Sequence, residues 1–110
     1  MLHLITAIVK PSRMDAIREA LEGAGVTVTE VSGYSRQHGH GETWGGTEYQ
    51  IDFVPKLRFE LVVTADDVET VARAIADAAR TGKVGDGKLW VSPVESVVRV
   101  RTGEQGADAV

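Results

Sequence analysis

The sequence predicts an α+β fold made of a single domain with two strand–helix–strand units. The chain has 110 residues, which is enough for one hydrophobic core and too few for two. Apolar residues recur at every second position in some segments and at every third or fourth position in others, which indicates strands and helices. Glycine and proline separate these segments. The predicted order is strand, helix, strand, long loop, strand, helix, strand.

The first unit occupies the N-terminal part of the chain. Segment 2–9 is an apolar run of strand length that ends before a proline, and proline cannot continue a strand ladder. Ser12 and Asp15 resemble a capping box, so we expect a helix to start there and to end at Gly23. Segment 26–31 is dense in β-branched residues, which predicts the second strand.

The second unit begins where apolar and charged residues alternate between positions 57 and 63, which predicts a strand with one buried face. Thr64 and Asp67 predict the start of a second helix, which ends before Gly82. Its apolar residues form one stripe: Val68, Val71, Ala72, Ile75 and Ala79. Segment 89–101 is strand-like, but a proline interrupts it, so we expect two short strands or one bent edge strand.

Together the two units predict a ferredoxin-like βαββαβ sandwich, with an antiparallel sheet and both helices on one face. Val62, Val97 and several residues of the first strand are too apolar for an exposed second face. A short chain often covers such a face by association, so we predict a homo-oligomer. Segment 102–110 is small and polar, which predicts a flexible C-terminal tail.

The composition restricts the classes of function. The net charge is −4 and the pI is about 5.3, which argues against broad binding to nucleic acids or anionic membranes. The absence of cysteine excludes a disulfide scaffold and a thiolate zinc site. No apolar run approaches the roughly 18 residues of a membrane span, and the first residues do not form a targeting signal. We expect a cytoplasmic protein without membrane insertion.

A cluster of three glycines directly precedes Lys88. It resembles a phosphate-loop motif, but the hydroxyl residue is missing and the helix precedes the strand. Gly85 and Gly87 still allow backbone N–H groups to converge on an anion. Arg99 and Arg101, two apart on a predicted strand, would add two guanidinium groups from one side. We predict a polyphosphate site; the alternatives are a helix cap with a turn, and a solvated strand edge.

The long loop after the second strand also contains residues that could carry function. Trp44 and Tyr49 favour a partner surface, since a loop of this length in a compact domain is usually functional. His38, His40 and Glu42 could bind a divalent metal. Such a loop lacks the supporting groups of a tight site, so solvated side chains are the default interpretation.

These features together resemble the nitrogen-regulatory PII signal-transduction family over nearly the whole chain. Segment 81–91 (Thr-Gly-Lys-Val-Gly-Asp-Gly-Lys-Leu-Trp-Val) is similar to the family's nucleotide-binding B-loop, and segment 98–104 resembles its C-terminal loop. Further matches are Lys10-Pro11, Thr29-Glu30-Val31, Gly33-Tyr34, Arg36-Gln37, Glu48-Tyr49 and residues 52–56. The resemblance implies a homotrimer of ferredoxin-like subunits that binds ATP or ADP in clefts between neighbours, with loop 35–51 as the effector arm.

The resemblance also implies which residues bind ligands. The phosphates would lie against Gly85, Asp86, Gly87 and Lys88, and Arg99 and Arg101 would reach them across the subunit boundary. The residues that line the nucleoside and the base of the loop would be Ile8, Thr27, Gly33, Arg36, Glu60 and Val62. Gln37 would help to coordinate the Mg²⁺ of MgATP, to which 2-oxoglutarate binds, and Lys56 would pair with the distal carboxylate of that acid. Magnesium prefers such oxygen ligands. Tyr49 matches a tyrosine that is uridylylated or adenylylated in some members.

The prediction is therefore a nucleotide-binding signal-transduction protein, and not an enzyme, that senses energy and carbon/nitrogen status through ATP or ADP and 2-oxoglutarate. Loop 35–51 would regulate a target protein, such as an ammonium transporter or a nitrogen-metabolism regulator. Gly45 replaces a basic residue that is usual in the family, which indicates a different partner, and Ser35 replaces a common glycine. The alternatives are a PII-like trimer that senses another small anion or a metal, a small phosphoryl-transfer enzyme, and an RNA-binding module.

Overall fold

The computed structural model describes the backbone of residues 1–34, 36–37, 50–51 and 53–110, and the side chains of all of these except 36–37 and 50–51. Along these segments the elements are β1 (Leu2–Val9), a 3₁₀ turn (Pro11–Arg13), α1 (Met14–Ala20), β2 (Thr27–Gly33), β3 (Arg36–Gln37), β4 (Gln50–Ile51), β5 (Val54–Thr64), α2 (Ala65–Ala79), β6 (Lys88–Val94) and a second 3₁₀ turn (Gly106–Ala109).

Four strands form one antiparallel sheet in the order β2-β5-β1-β6. Ile5 in the centre of β1 pairs with Leu61 of β5 on one side and with Val91 of β6 on the other. One face of this sheet packs against both helices, since Ile17 of α1 and Ile75 of α2 belong to the same buried cluster as the sheet residues. This is the predicted ferredoxin-like arrangement.

The alternation between residues 57 and 63 is confirmed as the buried face of β5. Leu57, Phe59, Leu61 and Val63 are all at least 93% buried. The residues between them face the other side of the sheet, because successive side chains of a strand point to opposite faces. A period-two pattern therefore predicted which residues of β5 form the core.

The predicted capping chemistry of the helices is wrong. Ser12 lies inside the first 3₁₀ turn, and α1 begins after Arg13, which makes no side-chain cap. Thr64 does precede α2, but its hydroxyl donates to the Asp67 carboxylate at 3.4 Å and makes no bond to the helix backbone. The first N–H group of α2, that of Ala65, instead donates to the Met1 carbonyl at 2.9 Å. The backbone carbonyl of Met1, at the start of the sequence, thus satisfies this N–H group in place of a local side-chain cap.

The C-terminal region also differs from the prediction. β6 runs through Pro93 without interruption, because it is an edge strand of the sheet and needs no partner on its outer side. The segment that follows is a turn closed by a bridge between Val98 and Gln105, so Arg99 and Arg101 do not lie on one strand. Segment 102–110 was predicted to be a flexible tail, but it contains the second 3₁₀ turn, so part of its backbone is regular.

The predicted irregular loop has a short ladder at its base, where β3 pairs with β4 through Arg36 opposite Ile51 and Gln37 opposite Gln50. The residues between β3 and β4 lie outside the described part of the chain. None of the described helices is long and apolar enough to cross a membrane.

Candidate functional site

The loop between α2 and β6, residues 80–87, passes close to the C-terminal end of β1. Gly82, Gly85 and Gly87 have φ angles of +84°, +95° and +92°, which lie in the region that favours glycine. A Cβ atom at Gly87 would lie only 1.8 Å from the carbonyl oxygen of Ile8. Glycine is therefore required at position 87 so that the loop can lie against β1. This segment, residues 80–87, is called the phosphate loop below, after the binding site that the sequence predicts there.

The carboxylate of Asp86 is engaged inside this loop. One of its oxygens accepts hydrogen bonds from the N–H groups of Thr81 at 2.8 Å and Gly82 at 2.9 Å, and the other accepts from the Thr81 hydroxyl. The Lys10 ammonium group lies 3.2 Å from the second oxygen. The Thr81 hydroxyl, and then its backbone N–H, hold the pKa of Asp86 well below its usual range. The side chain of Asp86 thus closes the loop on itself.

A cavity of about 680 Å³, called the loop-side cavity, lies beside the phosphate loop. It contains four residues of the predicted nucleotide and effector sites: Ile8, Gly33, Lys56 and Gly85. The Lys56 ammonium group donates a hydrogen bond to the Gly85 carbonyl at 2.6 Å. Lys10 also lines this cavity, so two ammonium groups lie next to the loop. An anion is the ligand that such a cavity favours.

A second cavity of about 840 Å³, called the edge cavity, lies at the start of β2. Four further predicted residues line it: Thr27, Glu60, Val62 and Arg99. In the described sheet, β2 begins opposite Glu60, so the stretch of β5 from residue 61 to 64 has no strand partner on this side. Backbone polar groups of a strand edge are available to a ligand. The Thr6 hydroxyl donates to the Glu60 carboxylate at 3.3 Å.

The guanidinium group of Arg99 contacts both its own turn and the last residue of the chain. One nitrogen lies 3.2 Å from a carboxylate oxygen of Glu104, and another donates to the Val110 carbonyl at 3.4 Å. Arg101 lies exposed in the same turn. The prediction that Arg99 and Arg101 lie two apart on one strand is wrong, because Arg101 lies inside the turn that the bridge between Val98 and Gln105 closes.

The structure therefore distributes eight of the predicted ligand-binding residues between two separate cavities. The loop-side cavity and the edge cavity share no lining residue. Asp86, Gly87 and Lys88 border a smaller cavity of about 210 Å³ between α2 and the start of β6. The side chains of Arg36 and Gln37, and all of Ser35, His38, His40, Glu42, Trp44, Gly45 and Tyr49, lie outside the described residues.

Sequence reasoning assigned no role to Lys10 or Thr81, although both belong to matched motifs. Lys10 bridges the Asp86 carboxylate and the Thr81 hydroxyl, which lies 3.2 Å from its Nζ atom. The two residues are 71 positions apart, so local pattern gives no sign of the contact. In the described part of the chain, no group of three or more histidine or acidic residues could hold a metal ion.

Comparison with known proteins gives one consistent result. A family model described as nitrogen regulatory protein P-II matches residues 2–104. Nitrogen regulatory protein P-II of Cereibacter sphaeroides is 51% identical over 109 residues, covering 96% of this chain and 97% of that protein. The protein of the same name from Mesorhizobium japonicum is 52% identical, with the same coverage.

Two solved structures resemble the chain over almost its whole length. GlnK of B. subtilis has a TM-score of 0.85 at 26% identity, and 99% of this chain and 98% of that chain are covered. Arabidopsis thaliana PII bound to citrate has a TM-score of 0.80 at 40% identity, with coverages of 99% and 92%. The resemblance found in the sequence and the predicted fold class are confirmed.

Proposed function

Because the chain belongs to the nitrogen regulatory protein P-II family, we propose that it binds ATP or ADP in clefts between the subunits of a homotrimer. It is a nitrogen-regulatory signal-transduction protein, and proteins of this family are not enzymes. The proposed signal is the occupancy of these clefts by nucleotide and 2-oxoglutarate, which the protein reports to target proteins. We place it in the cytoplasm.

The observation that carries the proposal is the division of eight predicted ligand-binding residues between two cavities of one chain. Four residues line the loop-side cavity, four others line the edge cavity, and no residue lines both. In the proposed cleft, the second set comes from another copy of the chain. Trimers are typical of the family, and Trp90 on the helix-free face of the sheet is 45% exposed. Both facts support a subunit boundary at this face.

The loop-side half of the cleft suits phosphates. The positive φ angles at Gly85 and Gly87 let successive N–H groups of the phosphate loop point toward one anion. Lys88, which begins β6 and borders the smaller cavity next to α2, would add an ammonium group. Arg99 and Arg101 of the neighbouring subunit would supply guanidinium groups, which bind phosphate through paired hydrogen bonds.

The edge half suits a nucleoside. An adenine ring carries a donor and an acceptor on one edge, and the unpaired stretch of β5 at Val62 offers backbone N–H and C=O groups of matching kind. The hydroxyl of Thr27 and the carboxylate of Glu60 lie in the same cavity. Arg36, at the base of the long loop, would contact the nucleotide from the other side.

The small-acid ligand would join the nucleotide at Lys56. A Mg²⁺ ion bound to the phosphates would link them to 2-oxoglutarate, with the Gln37 amide as a further oxygen ligand. The Arabidopsis relative is a PII protein bound to citrate, and citrate is also a small carboxylate anion. This supports an anionic effector, and citrate is the second candidate beside 2-oxoglutarate.

Loop 35–51 would be the docking arm. A ligand that holds the base of this loop biases it toward one of two conformations, and only one of these would bind the target. The proposed targets are an ammonium transporter or a nitrogen-metabolism regulator. Uridylylation or adenylylation of Tyr49 would add a charged group to the docking surface.

Isothermal titration tests the ligands. ATP and ADP should each produce binding heat, and 2-oxoglutarate should bind only when MgATP is present. Titration with citrate decides between the two acids. Lys88→Ala and Arg101→Ala should each abolish or strongly weaken nucleotide binding, whereas Lys83→Ala, a change at an exposed residue of the same loop, should not. Absence of nucleotide heat at micromolar protein would refute the proposal.

Mixed trimers test the shared cleft. Trimers assembled at random from equal amounts of Lys88→Ala and Arg101→Ala chains should recover binding in about one quarter of all clefts, since a random neighbour pair supplies both intact residues at that frequency. If one chain supplies both residues to the same cleft, no mixture recovers binding. Trimers of chains with both substitutions serve as the control.

A further inference from the structure

The Lys56 side chain makes a contact that binding of an acidic ligand does not explain. In the chain without ligand its ammonium group donates to the Gly85 carbonyl at 2.6 Å. Lys56 belongs to β5, and Gly85 belongs to the phosphate loop 29 residues later. A hydrogen bond from a charged donor is stronger than one between neutral groups. The bond therefore ties the loop to the sheet.

This bond fixes more than one atom of the phosphate loop. The Gly85 carbonyl and the Asp86 N–H belong to one planar peptide unit and point in opposite directions. When Lys56 holds the carbonyl, the Asp86 N–H is held pointing the other way. Gly85 has no side chain to restrict this peptide unit on its own side, so on that side the bond from Lys56 is what limits its rotation; on the other side the Asp86 carboxylate is held within the loop. Lys56 thus sets the orientation of one backbone donor of the proposed anion site.

Gly85 lies between two lysines that act on neighbouring residues. A Cβ atom at Gly85 would lie 3.4 Å from Cε of Lys10 and 3.6 Å from Nζ of Lys56. Lys10 contacts the Asp86 carboxylate, while Lys56 contacts the Gly85 carbonyl. The ammonium group of Lys10 faces an internal carboxylate. That of Lys56 faces only a neutral carbonyl among the described residues, so it is the one that a ligand carboxylate can attract.

Lys56 also lies close to the base of the long loop. Its Cγ atom is 3.5 Å from the position of a Cβ atom at Gly33, the last residue of β2. β5 begins two residues earlier, directly after Phe53, whose ring packs against Tyr34 at a centroid distance of 5.1 Å. Movement of either strand end would therefore move the Lys56 stem. The Gly85 bond transmits that movement to the phosphate loop.

We propose that Lys56 is a positioning residue of the phosphate loop, which holds the Gly85–Asp86 peptide in place until the nucleotide phosphates hold it instead. This role rests on the proposed nucleotide function.

Hydrogen exchange of the ligand-free protein tests the contact itself. Lys56→Met should speed exchange of the Thr81 and Gly82 amides, which donate to the Asp86 carboxylate directly after Gly85, roughly three- to tenfold, the range for loss of one typical hydrogen bond. Lys56→Arg keeps a charged donor and should restore most of the protection. The matched control is Lys83→Met, at an exposed lysine of the same loop. Unchanged exchange in Lys56→Met, or the same acceleration in Lys83→Met, would overturn the proposal.

Titration with ATP in the absence of any acid gives a second readout. If Lys56 only binds the acid, Lys56→Met leaves ATP affinity unchanged, which contradicts the positioning role. We expect the affinity to fall by a factor similar to the change in exchange. The two proposals fail differently, because an ATP-inactive wild type refutes the nucleotide function, while the exchange experiment still decides whether Lys56 holds the loop.

Discussion

Replacement of Gly87 by alanine should destabilise the protein more than the same replacement at Gly82, a glycine of the same loop with free space at its Cβ position. Two separate costs apply. A φ of +92° costs an alanine about 1–2 kcal/mol. The added methyl group would also lie 1.8 Å from the oxygen and 2.9 Å from the carbon of the Ile8 carbonyl, where neither partner is a flexible side chain, and such overpacking costs about 1–3 kcal/mol.

Gly82→Ala provides the matched control. Gly82 has nearly the same angle, a φ of +84°, but nothing lies within 4 Å of a Cβ atom built there. This variant should therefore lose only the backbone term, about 1–2 kcal/mol. The difference between the two variants measures the close approach of the phosphate loop to β1. It should be about 1–3 kcal/mol in favour of Gly82→Ala.

Urea and thermal unfolding followed by circular dichroism give these values. For a domain of this size, 1 kcal/mol corresponds to about 4 °C in Tm, so the two variants should differ by about 4–12 °C. All samples need the same protein concentration, because the stability of an oligomer depends on it. Equal stability of Gly82→Ala and Gly87→Ala would refute the argument that contact with Ile8 requires glycine at position 87.

Two further predictions concern charged groups of the site. Asp86→Asn should lower the urea midpoint at neutral pH, because Asp86 accepts from two backbone N–H groups and the Thr81 hydroxyl. Folding lowers the pKa of Asp86 below its ordinary 3.8, so the wild-type advantage should be complete above that value and shrink as the pH falls toward the folded pKa; an advantage that is constant down to strongly acidic pH would contradict this. Glu104→Gln should tighten ATP binding about two- to fivefold, because it removes a carboxylate that competes with phosphate for Arg99; calorimetry beside Glu95→Gln checks the sign, and weaker binding would show that Glu104 orients Arg99 instead.

The secondary structure was predictable wherever burial follows a simple period. In β5 the alternating residues 57–63 are the buried ones, and the apolar stripe of α2 contains the fully buried Ile75. These patterns arise because one face of each element packs on the core. Local sequence could not predict that the Ala65 N–H would bind the Met1 carbonyl, since that contact joins distant parts of the chain.

The turn after β6 shows where the same reasoning failed. Val98, Val100 and the arginines between and after them alternate as in a strand, but Gly103 has a φ of +76° and its N–H donates to the Arg99 carbonyl at 2.7 Å. The glycine at position 103 was the available signal, because glycine is typical of turns. The apolar alternation was misleading, since Val100 is 96% exposed.

Charge compensation distinguishes lysines that build the site from lysines that remain for a ligand. Motif matching assigned Asp86 to the ligand, yet its carboxylate faces Lys10 within the loop, so this pair adds little net field to the cavity. Lys56 contacts a neutral carbonyl, and its full charge stays in the loop-side cavity. An anion in that cavity is therefore attracted mainly by the charge of the Lys56 ammonium group. Lys10 and Lys56 are the same residue type, so the sequence alone could not distinguish their roles. The groups that they contact, a carboxylate for Lys10 and a neutral carbonyl for Lys56, distinguish them.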